Sequence, residues 1–179
     1  MKELSLHILD IVQNSVKAEA KNITVDITED TKTDTLTIEI ADDGCGMTAE
    51  FLAKVRDPFT TTRTTRKTGM GISLFEAAAV QTGGGLDITS KPGVGTTLKV
   101  WFSLSSIDRA PLGDMAGTMV TIISGAPDID YIYRHTTGKG EFVFDTREIR
   151  EVLGDVPFNV PDVLDWIGGY IEEGLAEIN

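Results

Sequence analysis

Asp42-Asp43-Gly44-Cys45-Gly46-Met47 follows the run Leu36-Thr37-Ile38-Glu39-Ile40, with Ala41 between them. The alternation of apolar and polar residues in that run predicts a half-buried strand. An acid and two glycines therefore sit just past a strand end. Gly44 and Gly46 carry no side chain, so a ligand or another backbone can come close there. Asp42 is the nearest fixed hydrogen-bond acceptor. An ordinary Asp-Gly turn has the same composition. What separates the two readings is the neighbouring sequence: a helix carrying Asp10, Asn14 and Lys17 precedes the stretch, and a second glycine pair, Gly69 and Gly71, follows it.

Upstream, Leu4, Ile8, Ile11, Ser15 and Ala18 fall at helical spacing, with Val12 beside them, and predict a helix from residue 3 to about 20. Asp10, Asn14 and Lys17 lie at i, i+4 and i+7, within about 60° of one another around the axis. That second face is either solvated surface or the polar wall of a ligand site. Ile23, Val25 and Ile27 then alternate as Leu36, Ile38 and Ile40 do, so the polar link from Glu29 to Thr35 predicts a hairpin.

Downstream, Thr48 is placed to cap a short helix running to about Val55. Residues 56–68 lose apolar periodicity and carry Arg63, Arg66 and Lys67, a basic stretch in an acidic protein. Such a loop is either solvated or a lid that closes over phosphates. Gly69, Met70 and Gly71 open the next helix, with Ile72, Phe75, Ala79 and Val80 expected inward. Glycine-rich helix starts present backbone N–H groups to anions. Leu86 to Ile88 and Leu98 to Leu104 predict a second hairpin around Gly93 and Gly95. Residues 105–117 read as a linker. Beyond it, Thr118 to Ile123 reads as a strand, and a hairpin is expected across Gly138 to Gly140. Asp145 to Glu148 has capping-box form before a short helix. A last amphipathic helix is weakened by Gly168 and Gly169.

The 179 residues are 41% apolar and 25% charged, the composition of a globular protein. No apolar run approaches the roughly 20 residues of a membrane span, and the first residues lack signal-peptide anatomy. Cys45 is the only cysteine, so no internal disulfide is possible, which fits a cytoplasmic location. The net charge is −12, and residues 105–179 hold 14 acidic against 5 basic side chains. Nucleic-acid backbones and anionic membranes would be repelled, so neither is an expected partner. His7 is expected to be structural, His135 to lie at the surface, and Trp166 to serve core or interface.

Five stretches together resemble the ATP-binding motifs of the GHKL superfamily, which includes gyrase, Hsp90, histidine kinases and MutL. Leu9 to Ala18 is similar to the N box and Asp42 to Met47 to the first glycine box. Asp57 to Arg63, which contains Phe59, looks like the F box of sensor kinases. Gly69 to Leu74 resembles the second glycine box, and Gly93 to Thr97 the final G-x-G-T-T turn. They stand in the family's order and cover about residues 1–104.

The resemblance implies a Bergerat fold, an α/β (α+β two-layer) sandwich of a mixed sheet with helices on one face. It implies an ATP-binding domain over 1–104, with 118–179 as a small acidic α+β domain. Asp42 would accept from the adenine amine, with Gly44, Gly46 and Met47 around the base and Thr96 or Thr97 supporting it. Asn14 would bind Mg²⁺ that arrives with the nucleotide. Lys17, Arg63 and Lys67 would neutralise phosphate charge, and Gly69, Met70 and Gly71 would cradle it. Asp10 stands where the family's ATPases have a catalytic Glu, one methylene longer, which implies weak intrinsic hydrolysis. The phosphoacceptor helices of sensor kinases are not expected in this sequence. A stand-alone kinase acting on a separate protein phosphoacceptor is thus implied. An ATP-gated module for a regulated partner, or a slow ATPase, is the alternative, and a homodimer is possible.

Overall fold

The computed structural model describes residues 3–55 and 67–179. Helix α1, Leu4–Lys17, buries Leu4, Ile8, Ile11, Val12 and Ser15, the stripe its spacing predicts. Strands β1, Asn22–Asp30, and β2, Thr35–Asp42, form the expected antiparallel hairpin. Helix α2, Ala49–Val55, starts where the Thr48 hydroxyl accepts from Phe51 N–H at 3.1 Å. Helix α3, Lys67–Gln81, leads into the hairpin of β3, Gly85–Lys91, and β4, Gly95–Ser103. Ile72, Phe75 and Ala79 of α3 are buried, but Val80 is exposed, one step past the inward stripe.

The second half departs further. Thr118 to Ile123, expected as a strand, lies inside helix α4, Met115–Gly125. Its β-branched residues favour a strand locally. Met115, Met119, Ile122 and Ile123 nevertheless recur at helical spacing and are all buried. Asp114 caps the helix by accepting from Gly117 N–H at 2.8 Å. Tertiary burial overrides the local preference.

Strands β5, Asp130–Thr137, and β6, Gly140–Asp145, form the expected hairpin, and helix α5, Thr146–Leu153, follows Asp145 as its cap. Helix α6, Pro161–Ile178, runs unbroken through Gly168 and Gly169. Among the described residues the six strands form one mixed sheet in the order β3-β4-β2-β1-β5-β6. Strands from before residue 104 and after residue 118 share this sheet: β5 pairs in parallel with β1 from Asn22↔Asp130 to Thr28↔Thr136. Residues 105–117 are also held. Leu4 and Ser5 N–H groups donate to the Pro111 and Leu112 carbonyls, and Ala110 is buried.

One sheet face carries the inward residues of every strand, from Ile88 and Val100 through Ile38 and Val25 to Tyr133 and Phe144. The helices pack on it. His135 belongs to this buried face rather than the surface. Its ring accepts or donates between Tyr133 Oη at 2.8 Å and Glu29 Oε2 at 2.6 Å. His7 is structural, stacked on Phe75 at 5.0 Å. Trp166 is half exposed and stacks on Tyr170 of the same helix. No helix among the described residues is long and apolar enough to cross a membrane.

Candidate functional site

At one end of the sheet the strand register brings three polar side chains into a row. Asp42 at the end of β2 is paired with Thr96 on β4, and Thr96 with Ser90 on β3. Two residues inward along each strand, the next row on the same face is Ile40, Leu98 and Ile88. Alternation alone thus sets a polar rim beside an apolar floor. Helix α1 lies across this end and adds Ile11, Asn14, Ser15 and Lys17, with its C-cap Ala18. Helix α2 adds Phe51 and Val55, and α3 adds Ile72. Together they enclose a cavity of about 400 Å³, within the range of small-molecule sites.

Asp42 is held from two sides. Ser15 Oγ donates to Oδ2 at 2.5 Å, and Gly44 N–H donates to Oδ1 at 2.9 Å. Each oxygen keeps a lone pair for a further donor. Its neighbour Asp43 does different work. It accepts from the Lys21 and Asn22 backbone N–H groups and from Asn22 Nδ2, all within 2.9 Å. Those bonds, led by the Asn22 side chain, hold its carboxyl below the usual range. Asp43 anchors the loop, and Asp42 is left facing the cavity.

The loop is also clamped by close backbone approach. Gly46 has φ +71°, and a Cβ there would sit 2.1 Å from the Lys91 carbonyl oxygen. A Cβ at Gly95 would meet the Asp42 carbonyl oxygen at 2.0 Å. Gly93 N–H donates to the Cys45 carbonyl at 2.7 Å and Cys45 N–H to the Ala18 carbonyl at 2.9 Å. The glycine-box loop is thereby pinned between α1 and the β3–β4 turn.

Of the residues singled out from sequence, Asn14, Lys17, Asp42, Gly46, Met47 and Thr96 line this cavity. Gly44 borders it through its bond to Asp42. Thr97 does not line this cavity; it lines a neighbouring shallow depression with Thr89 and Lys91, which Asp42, Ser90 and Thr96 also border. Asp10 is not among the lining residues. Its Cβ lies 3.6 Å from where a Cβ at Gly71 would be, so it abuts the start of α3. Lys67, Gly69 and Met70 belong to the first turn of α3, with side chains outside the described residues. Phe59 and Arg63 lie outside the described residues altogether.

Sequence reasoning missed Ser15, Ser90, Cys45, Phe51 and Val55. Ser15 and Ser90 carried a usable signal: each is a hydroxyl at an inward position of an otherwise apolar stripe. Among the described residues, no group of three or more His, Cys, Asp or Glu could hold a metal ion. Asn14 supplies one neutral amide oxygen. That donor set fits a Mg²⁺ ion whose other ligands come with a polyanionic substrate and from water.

Residues 2–106 match the family model described as histidine kinase-, DNA gyrase B- and HSP90-like ATPase. Among curated proteins, the chain is 39% identical over 69 residues to the sensor kinase CckA of Brucella abortus, covering 38% of this chain and 7% of that protein. It is 24% identical over 106 residues to the sensor histidine kinase ZraS of Escherichia coli, covering 59% and 23%. The chain spans less than a quarter of the length of these relatives. Among solved structures, the ATPase domain of Aquifex aeolicus MutL complexed with ADP shares the fold. It has a TM-score of 0.53 and 14% identity, covering 86% of this chain and 69% of that one.

Proposed function

Because this chain belongs to the family of histidine kinase-, DNA gyrase B- and HSP90-like ATPases, we propose that its cavity binds ATP and that the γ-phosphate passes to a separate protein. The observation that carries the reading is the Asp42–Thr96 rim beside the Ile40–Leu98–Ile88 floor, with Asp42 fixed by Ser15. A flat apolar ring fits against such a floor, and an exocyclic amine meets the acceptor at its edge. Lys17 and Asn14 stand on the α1 side of the same cavity, where phosphates would extend. Asn14 would take one position on Mg²⁺, and the ion when bound would neutralise phosphate charge.

Two observations favour transfer over hydrolysis. Asp10, in the place of the family's longer catalytic acid, abuts α3 rather than lining the cavity. The curated relatives named above are sensor kinases. In the transfer, a side chain of the acceptor protein attacks the γ-phosphorus and ADP leaves with the bridging electrons. The pocket's task is then positioning and charge neutralisation. The same position of Asp10 also suits a second reading, an ATP-gated binding module that keeps its nucleotide intact.

The test incubates the protein with γ-labelled ATP and Mg²⁺, with and without host-cell extract, beside Asn14→Ala. Label on one extract protein, absent with the variant, supports the kinase reading and identifies the acceptor. ATP that binds and keeps its γ-phosphate under every condition rejects transfer in favour of the gated module.

A further inference from the structure

Ser90 stands across from Thr96, and Thr96 across from Asp42, so the three share one cross-strand row. The Ser90 hydroxyl has three protein neighbours. Met47 N–H donates to Oγ at 2.8 Å. The Gly95 carbonyl oxygen lies 3.1 Å away, and Thr96 Oγ1 lies 2.7 Å away. These neighbours come from the loop after β2 and from the start of β4, so one hydroxyl joins both sides of the rim.

A serine hydroxyl has one proton and two lone pairs. Met47 takes one lone pair. Two arrangements of the rest are then open. In the first, Ser90 donates to the Gly95 carbonyl and accepts from Thr96, whose own proton is spent inside the protein. In the second, Ser90 donates to Thr96 Oγ1, and the Thr96 proton is free to enter the cavity. The first makes three internal hydrogen bonds and suits an empty cavity. The second gives up the bond to Gly95 and gains one as soon as the cavity holds an acceptor. Exchange of one hydrogen bond for another costs little. In both, the same 2.7 Å contact fixes Thr96 Oγ1.

We infer that Ser90 is a positioning residue of the base-binding rim: it fixes Thr96 Oγ1 and turns its proton, so that Thr96 donates to a ring nitrogen beside the amine that Asp42 accepts. The inference rests on the nucleotide reading of the cavity given above. A fixed acceptor next to a switchable donor matches an amino group next to an unprotonated ring nitrogen, the edge adenine presents. A base with an oxo group and a protonated ring nitrogen would set acceptor against acceptor at Asp42.

The experiment compares ATP with 1-deaza-ATP, which replaces the ring nitrogen N1 by C–H and keeps the amino group. Calorimetric titration of the full chain gives both affinities for the unchanged protein, Ser90→Ala, Ser90→Thr, Thr96→Val and the Ser90→Ala, Thr96→Val double variant. The unchanged protein is expected to bind ATP about three- to tenfold more tightly than the analogue. Ser90→Ala loses that preference and Ser90→Thr keeps it. Thr96→Val loses it as well, and adding Ser90→Ala changes the ratio no further. A residue that only braces the fold would weaken both ligands alike and leave the ratio unchanged. A preserved ratio in Ser90→Ala overturns the inference. So does an unchanged protein that binds both ligands equally, and in either case the nucleotide reading stands. Binding of neither ligand by the unchanged protein overturns the nucleotide reading itself, and this inference with it.

Discussion

Ser15 Oγ donates to Asp42 Oδ2 at 2.5 Å, joining the buried face of α1 to the end of β2 across 27 residues of sequence. The bond aims the carboxylate that the proposed function uses. Ser15 is itself buried, so its replacement by Ala removes the donor without opening the surface. Ser15→Ala is expected to weaken ATP binding about threefold to tenfold, the worth of a charge-assisted hydrogen bond partly replaced by water. Calorimetric titration reads the change. An unaltered dissociation constant would mean that Gly44 alone orients Asp42.

Asn14→Ala separates the metal from the base. Asn14 lines the cavity from α1, one helix position before the Ser15 that holds Asp42. ATP binding without Mg²⁺ should stay within about twofold of the parent, while the gain on adding Mg²⁺ disappears. Parallel titrations with and without the ion check this. Equal losses in both would remove the metal role from Asn14.

Gly174→Ala tests how firmly the C-terminal helix is built into the sheet. A Cβ there would fall 2.1 Å from the Phe142 ring on β6, and both residues are buried. Overpacking of this kind costs about 1–3 kcal/mol. The thermal midpoint of the whole chain should fall in a single transition. An unchanged midpoint would show that α6 and β6 part readily.

The first four strands and α1 were legible because each repeats its pattern cleanly, period two in β1 and β2 and helical spacing in α1. Long-range pairing was not. Nothing local in Asp130 to Thr137 announces β1 as its neighbour, since a parallel partner is chosen by packing rather than by a turn. Thr118 to Ile123 misled through its β-branched residues, although Asp114 offered a cap signal just before them. At the site, Asp42, Asn14, Lys17 and Thr96 were recognisable by residue type at a motif position. Ser15 and Ser90 belong to no motif, and only a lone hydroxyl at an inward position of an otherwise apolar stripe marks them.

The Glu29–His135 contact gives a pH dependence of defined sign. The hydrogen bond from His135 holds the Glu29 carboxyl below its ordinary value of 4.5, against the opposing effect of partial burial. As pH falls, the unfolded chain takes up this proton first. The stabilisation is therefore complete above about pH 4.5 and drains away as pH drops through the lowered value. Urea midpoints from pH 6 down to about pH 3 should fall more steeply for the parent than for Glu29→Gln. Parallel slopes would show that this pair contributes nothing to acid sensitivity.

The central claim is that Asp42 reads an adenine amine at the edge of the cavity. Its most direct measurement is the ATP dissociation constant of the parent and of Asp42→Asn, with circular dichroism to confirm that both are folded. The parent is expected to show saturable one-to-one binding, and the folded variant at least about tenfold weaker binding. Equal affinity in the two proteins, or no binding by the parent, would contradict it.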